Sequence, residues 1–304
     1  MIITMPEAKH TIKGLLSNRK MSIFAGAGIS VPSGLPTWGG FVDKYIEICQ
    51  QLNEAITDPR LKFDSIIADA HKCKTSDLIS VVSALKSKVI ECKENGINTD
   101  WVDSRLNKMF AQANPNDFHK SIVSTDYKYI ITTNYDSLLE DAAENLGYKQ
   151  LLVRSYSYTE HKNLSMAVYS GETAIIHAHG KMEYVKLDQF VLTNEDYLSI
   201  MKHNPGFRLI INSVFLTTSV LFAGYGANDP HFEDIISDLN ATLEWDNEGT
   251  GLPRCYILLK KDEVSPIKEY LSDKRRVDII PFDSFDEEAE FLKELSIEHP
   301  RARK

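Results

Sequence analysis

The stretch MSIFAGAGISVPSGLPTW, residues 21–38, decides the fold. It opens with a short apolar run, Met21–Ala25, that is followed at once by Gly26, Ala27 and Gly28. Such a run before glycines is typical of a buried parallel strand that ends in a loop able to approach a phosphate, with a helix N-terminus behind it. We therefore predict the first strand of an open α/β sheet here, with a ligand beyond its carboxyl end.

Similar apolar runs recur along the chain and alternate with helical signals. The strand-like runs occupy residues 129–132, 150–153, 174–178, 220–223, 255–259 and 277–280. Helix signals between them include residues 137–146 before Gly147 and residues 230–239 behind Asp229. This alternation predicts an α/β, Rossmann-like, doubly wound fold with a mainly parallel sheet of about six or seven strands.

Two stretches depart from the alternation. Residues 41–112 show helical periodicity without a convincing strand, which predicts an inserted helical module within a single Rossmann domain of residues 1–304. Residues 155–171 are rich in Tyr, Ser, Glu and His. We predict a loop or lid there, because long loops in compact domains are often functional.

Composition narrows the class of protein. The formal net charge of −9 disfavours direct binding of nucleic acid, and no apolar run is long enough to span a membrane. With no secretory signal at the start, a cytoplasmic location is the default. The four cysteines include no CxxC pair, which argues against a zinc module and a disulfide framework. We expect the basic tail, residues 301–304, to be solvated.

A polar motif, TTNYD at residues 132–136, follows the second strand-like run. Ligands of open α/β sheets bind beyond the carboxyl ends of the strands, so Asn134 could hydrogen-bond a ribose or hold a water there. Alternatively, Asn134 or Asp136 simply caps the following helix.

The motif HAHG, residues 177–180, also ends a strand-like run. Side chains alternate along a strand, so His177 and His179 cannot both face the crevice, and we expect one catalytic and one structural histidine. His179 lies nearer the strand end and is the better candidate general base. A metal site would need further ligands that the sequence does not supply, so we predict no metal.

A late motif, FAGYGANDP at residues 222–230, repeats the pattern of strand, glycines and helix. Each glycine turn taken alone could be an ordinary strand-to-helix connection. The dinucleotide fingerprint GxGxxG would require glycine at position 31, where the chain has Val31.

Together the motifs resemble the sirtuin family, whose pattern is GAGxS and GxP, then TxNxD, then HG, then a late glycine turn. The matching residues are Gly26, Ala27, Gly28, Ser30, Gly34, Pro36, Asn134, Asp136, His179, Gly180 and Gly224. More narrowly, TTNYD, GYGANDP and the sequence Asp196-Tyr197-Leu198 look like bacterial sirtuin-like effectors of antiphage defence, which degrade NAD. The chain departs from the family's deacylases: PTWG replaces PDFR after the first motif, and residues 181–219 contain no cysteine for zinc.

The resemblance implies that NAD is the substrate and that cleavage of its nicotinamide–ribose bond gives nicotinamide and ADP-ribose. Asn134 would orient the ribose or the attacking water, His179 would act as base, and Asp136 would support the polar network. The residues predicted to bind NAD are Gly26, Ala27, Gly28, Ser30, Pro36, Trp38, Thr133, Asn134, Asp136, Gly224, Tyr225, Gly226 and Asn228.

Two other functions fit the same motifs. One is an NAD-dependent protein deacylase or ADP-ribosyltransferase, and the other is a noncatalytic sensor of NAD or ADP-ribose. An NAD hydrolase must be restrained in its own cell, so we expect gating by homo-oligomerisation or by a partner chain. The resemblance to defence effectors implies an associated sensor or ATPase.

Overall fold

The computed structural model describes residues 1–73, 77–111, 113–148, 154–181, 191–225, 254–266 and 276–302. Its strands are β1 (Met21–Ala25), β2 (Tyr129–Thr132), β3 (Arg154–Ser157), β4 (Ala174–His177), β5 (Ser219–Ala223), β6 (Cys255–Lys260) and β7 (Val277–Phe282). They form one 7-stranded sheet in the order β3-β4-β2-β1-β5-β6-β7, and every neighbouring pair is parallel. The predicted α/β fold with a mainly parallel sheet is confirmed.

The helices follow from capping signals and apolar spacing. They are α1 (Met5–Ser17), α2 (Trp38–Ala55), α3 (Asp64–Cys73), α4 (Leu78–Glu94), α5 (Asp100–Phe110), α6 (Asp117–Ser124), α7 (Leu138–Asn145), α8 (His161–Tyr169), α9 (Asn194–His203), α10 (Pro205–Thr217) and α11 (Phe285–Glu298). Helix α1, which the sequence analysis did not predict, begins with a capping box between Thr4 and Glu7. None of the described helices has the length and apolar character needed to cross a lipid bilayer.

The sheet is buried on both faces, as a doubly wound fold requires. Successive residues of β1 belong to different apolar clusters: Phe24 packs with residues of α8 and α10, whereas Ile23 packs with residues of α1, α6, α7 and α11. On the first face Phe24 stacks on Phe222 of β5, with ring centroids 5.3 Å apart. Helices therefore cover both faces, and the carboxyl edge of the sheet is the place left for a site.

Helices α2 to α5 occupy the stretch in which the sequence analysis found helical periodicity. They build a third apolar cluster that includes Phe41, Tyr45, Leu85 and Leu106. Leu192, which precedes α9, joins this cluster. The division of the chain into a Rossmann domain with an inserted module at residues 41–112 stays a prediction.

The prediction of a loop or lid at residues 155–171 is wrong. Strand β3 ends at Ser157, a 3-10 turn covers Tyr158–Glu160, and α8 occupies His161–Tyr169. Leu164 and Ala167 give α8 a short apolar face that is buried against the sheet. The polar composition reflects the outward face of a helix, which a count of residue types does not distinguish from a loop.

Other sequence predictions fall partly outside the described residues. The strand at residues 150–153 and the helix at residues 230–239 lie there, and the third described strand begins at Arg154. Gly26 is followed by a 3-10 turn, Ala27–Ser33, which contains Gly28. The predicted helix N-terminus therefore does not directly follow the glycines. Pro32 lacks an amide hydrogen and Gly34 has a left-handed φ of 86°, so the segment cannot continue as a helix.

The expectation of a solvated tail is wrong for Arg301, whose side chain is only 5% exposed. Its guanidinium donates to the carbonyl oxygens of Val123, Thr125 and Tyr127 and to the Thr173 hydroxyl, at 2.7 to 3.1 Å. Burial lowers its pKa to about 10. Arg301 thus fastens the end of the chain to the segment that leads into β2.

Replacing Arg301 with methionine should lower the free energy of unfolding by about 2–4 kcal/mol, because buried carbonyl oxygens would lose their donors. Methionine keeps most of the apolar part of the arginine side chain, so the decrease in the free energy of unfolding reflects mainly the lost hydrogen bonds. Urea denaturation measures the effect, with Arg60→Met as the matched control, because the Arg60 side chain is 88% exposed. Equal stabilities of the two variants would contradict this account of Arg301.

Candidate active site

The candidate site lies where β1, β2 and β4 end, at neighbouring positions in the sheet. A cavity there encloses about 590 Å³, part of it open to solvent. It is lined by Ala27, Ser30, Leu35, Pro36, Thr37, Trp38, Phe41, Phe110, Thr133, Asn134, Tyr135, Asp136 and His179. This is the crevice in which ligands of open parallel sheets bind.

The two glycine turns pack directly against each other behind the cavity. The amide of Gly28 donates to the carbonyl oxygen of Gly224 at 2.9 Å. A Cβ added at Gly28 would lie 2.8 Å from the Gly224 backbone, and one at Gly26 would lie 2.7 Å from the Gly224 oxygen. Gly224 itself has a φ of 72°, and a Cβ there would lie 2.7 Å from Ile29. Close contact between the turns therefore accounts for these glycines without a ligand.

Asn134 is held from several sides. Its amide nitrogen Nδ2 donates to the Gly26 carbonyl oxygen and to Ser30 Oγ, each at 3.1 Å. Its backbone N–H donates to Thr132 Oγ1 at 3.0 Å, and its carbonyl oxygen lies 3.0 Å from His177 Nδ1. Because the Gly26 carbonyl can only accept, Nδ2 must face it, and the amide orientation is determined. The acceptor Oδ1 is then the side-chain atom available to the cavity.

Ser30 joins Asn134 to a buried aspartate and a buried histidine. Its hydroxyl donates to Asp136 Oδ2 at 2.9 Å and lies 3.2 Å from His119 Nε2. His119 Nδ1 accepts the backbone N–H of Asn116, so Nε2 carries the proton and donates to Ser30. Burial lowers the pKa of His119 to about 4, which keeps this ring neutral. Burial also raises the pKa of Asp136, which lies 6% exposed against the cavity.

Asp136 has a structural task as well. Its Oδ1 accepts the backbone N–H of Leu138 at 3.1 Å, which caps the first turn of α7. The N-cap residue of α7 is Ser137 and not Asp136, but the Asp136 carboxylate does accept the first N–H of the helix, alongside its contact with Ser30. A capping role and a place in the cavity are compatible, because the two carboxylate oxygens have different partners.

The two histidines of HAHG occupy different environments. His179 lines the cavity and is 2% exposed. His177 is fully buried, lies outside the cavity lining, and places its Nε2 2.8 Å from Glu140 Oε1. Burial opposes the charged form of His177, but the carboxylate of Glu140 outweighs it and the pKa of His177 is raised. Burial likewise opposes the charge on Glu140, yet His177 and Lys181 hold its pKa at about 2.

Aromatic side chains from α2, α5 and the loop after β2 form part of the cavity lining. Trp38 stacks on Phe41 with ring centroids 5.5 Å apart, Phe41 packs against Phe110 at 6.1 Å, and Phe110 meets Tyr135 edge-on at 5.9 Å. The Tyr135 hydroxyl donates to the Val191 carbonyl oxygen at 2.5 Å. The cavity lining thus combines aromatic rings with an amide, a carboxylate and an imidazole.

The structure brings most of the predicted site residues together. Those that line the cavity are Ala27, Ser30, Pro36, Trp38, Thr133, Asn134, Asp136 and His179. Gly26, Gly28 and Gly224 lie in the turns behind it, and Tyr225 is buried with its hydroxyl 3.0 Å from Thr133 Oγ1. Gly226 and Asn228 lie outside the described residues.

Several residues of the site were missed in the sequence analysis. Helix packing places Phe110 in the cavity lining, His119 against Ser30 and Glu140 against His177, and no local motif identifies these three residues. Tyr135 stood inside the quoted TTNYD motif but was not assigned a role. Within the described part of the chain, no group of three or more His, Cys, Asp or Glu side chains could hold a metal ion.

Comparison with known proteins gives a consistent result. A family described as "SIR2-like domain" matches residues 128–280. The chain is 25% identical over 230 residues to NAD(+) hydrolase ThsA of Acinetobacter baumannii, covering 75% of this chain and 41% of that protein. It is 24% identical over 247 residues to NAD(+) hydrolase ThsA of Bacillus cereus, covering 81% and 44%.

A third relative is Defense-associated sirtuin 2 of Bacillus subtilis, 24% identical over 231 residues, which are 75% of this chain and 19% of that protein. The chain therefore spans less than half the length of each of these relatives.

Proposed function

Because this chain belongs to the SIR2-like family, we propose that it hydrolyses NAD at the bond between nicotinamide and ribose. The names of the ThsA relatives support this activity. The observation that carries the proposal is the arrangement around Asn134, whose N–H, C=O and Nδ2 are all engaged by the protein. That arrangement leaves Oδ1 as the remaining polar atom of Asn134, and Asn134 and His179 line the same cavity.

The composition of the cavity suits the nicotinamide end of NAD. Its pyridinium ring is aromatic and cationic, and rings such as those of Trp38 and Phe110 attract a cation through their π faces. The carboxylate of Asp136 adds a negative group in the same cavity. Both features favour a planar cation over a neutral ligand of the same size.

The reaction needs little chemical assistance at the leaving group. When the bond between ribose C1′ and the ring nitrogen breaks, its electron pair neutralises the pyridinium, and nicotinamide departs uncharged. Water then adds to C1′ and loses a proton, which His179 would accept. Asn134 Oδ1 would accept a hydrogen bond from that water or from a ribose hydroxyl and hold it in position.

We also propose the setting in which this activity operates. The name of the Bacillus subtilis relative supports a role in antiphage defence. A gated effector would work in the cytoplasm as a homo-oligomer or with a sensor or ATPase partner, because uncontrolled loss of NAD would harm the cell. ADP-ribose is the expected second product.

Chromatography of NAD incubated with the purified protein tests the proposal. We expect nicotinamide and ADP-ribose to appear in equal amounts. The control variant Glu144→Gln, which changes a residue on the exposed side of α7, should give the same amounts as the wild type. Loss of the acyl mass from an acylated peptide, or gain of ADP-ribose on protein, would instead favour a transferase. Calorimetric binding of NAD with no cleavage, in the presence or absence of cell extract, would favour a sensor.

A further inference from the structure

The buried His177 and the partly buried Glu140 form a pair beside the proposed catalytic loop, and neither lines the cavity of the candidate site. His177 is the last residue of β4, and its ring bridges two acceptors: Nδ1 lies 3.0 Å from the Asn134 carbonyl oxygen, and Nε2 lies 2.8 Å from Glu140 Oε1. A carbonyl oxygen and a carboxylate oxygen both require a donor. The two contacts therefore favour the imidazolium form, in which both ring nitrogens carry a proton.

The loop from Thr133 to Ser137 connects β2 to α7 and is anchored by several side chains. The Tyr135 hydroxyl bonds the Val191 carbonyl oxygen, and Asp136 accepts from Ser30. At Asn134 the side-chain anchors are the bonds from Nδ2 to Gly26 and Ser30. These bonds hold the tip of the side chain, whereas His177 holds the main chain at the same residue. Fixing both ends of one residue determines the direction of Oδ1, as a preorganised site requires.

Charged groups around the ring decide its protonation. Glu140 on α7, Asp136 in the loop before α7, and Lys181 just beyond β4 are the described ionisable groups that act on His177. Glu140 also accepts from the Ser155 hydroxyl at 2.5 Å and lies 3.5 Å from Lys181 Nζ. A carboxylate held in this way stays ionised, and it favours the doubly protonated ring beside it.

Loss of one proton from His177 has a defined consequence. The remaining proton would stay on Nε2, because the negative carboxylate faces that nitrogen. The lone pair on Nδ1 would then face the lone pairs of the Asn134 carbonyl oxygen, and the contact would become repulsive. As the pH rises through the pKa of His177, the Asn134 carbonyl would lose this contact, and the bond from the Asn134 N–H to Thr132 would remain.

We propose that His177 is a positioning residue: with Glu140 as its counter-ion, it holds the Asn134 carbonyl and thereby aims Asn134 Oδ1 at the substrate. This inference rests on the proposed hydrolysis of NAD for its kinetic consequences. It assigns a task to the first histidine of HAHG and to Glu140, neither of which lines the cavity.

Glu140→Gln in the full-length protein tests this proposal, with Glu144→Gln on the exposed side of the same helix as its matched control. Glutamine keeps the shape and removes the charge. We expect kcat for NAD cleavage to fall on the order of tenfold, with KM within about twofold, because the loop and not the binding surface is disturbed. The alkaline limb of the pH profile should move to lower pH, because the ring loses its proton more readily without the carboxylate.

A second variant and a second measurement separate positioning from folding. His177→Asn places an amide nitrogen at about the position of Nδ1, so it retains an N–H donor for the Asn134 carbonyl and has no charge to lose. Its alkaline limb should therefore disappear. Amide hydrogen exchange should be faster at residues 134–136 in Glu140→Gln and unchanged in α11. Exchange and kcat both equal to wild type would overturn the positioning role. A wild type that cleaves no NAD, either alone or with cell extract, would overturn the proposed function, while amide exchange would still decide the role of His177.

Discussion

Replacing His179 with alanine should lower kcat for nicotinamide release by about 10²- to 10⁴-fold, the usual contribution of a general base. His179 lines the cavity beside Asn134 and Asp136, where a proton from the attacking water must be accepted. KM for NAD should change much less than kcat, because the imidazole acts on the water and contributes little to binding.

The rate of nicotinamide release at saturating NAD measures this effect. His203→Ala is the matched control, because His203 is an exposed histidine on α9 far from the motif in sequence. Thermal unfolding of both variants checks that the fold is retained. A His179→Ala protein with a kcat within about twofold of wild type would show that another group accepts the proton.

Replacing Asn134 should lower kcat by about 10²-fold whether the new residue is alanine or aspartate. Alanine removes the acceptor Oδ1. Aspartate keeps an oxygen there, but its second oxygen would face the Gly26 carbonyl, which now receives a hydrogen bond from Nδ2. Two acceptors cannot pair, so the side chain must turn away.

The comparison of the two Asn134 variants is more informative than either alone. Asn145→Ala, at the exposed end of α7, is the control for loss of an asparagine. The same chromatographic assay measures all three. If Asn134→Asp keeps its activity while Asn134→Ala loses it, an acceptor alone suffices, and the anchoring of Nδ2 has no role in catalysis.

Local sequence patterns were sufficient to predict the sheet. Each apolar run before a polar or glycine turn, such as Met21–Ala25, proved to be a parallel strand wherever the structure describes it. A strand that is buried on both faces is apolar at nearly every position, so it can be recognised from its residue types alone. The helix α8 was missed because Leu164 and Ala167 provide only a narrow apolar face within a polar segment.

The residues of the candidate site could be predicted when they belong to a local sequence motif. They could not be predicted when the packing of helices against the sheet brings them to the site. Asn134, Asp136 and His179 follow strands directly, so strand order brings them together. His119 and Glu140 stand on α6 and α7, and their contacts depend on how those helices lie against the sheet. Gly28 and Gly224 show a further limit of sequence-based prediction. The sequence indicates that both turns need glycine, but only the structure shows the reason, which is that the two turns pack against each other.

The most direct test of the central claim is a crystal structure of the His179→Ala protein with NAD, because a variant that binds without cleaving would retain the intact substrate. We expect the nicotinamide ring against Trp38 and Phe110, with a ribose hydroxyl or a bound water within hydrogen-bonding distance of Asn134 Oδ1. NAD bound elsewhere on the protein, or with its ribose remote from Asn134, would show that this cavity is not the site of cleavage.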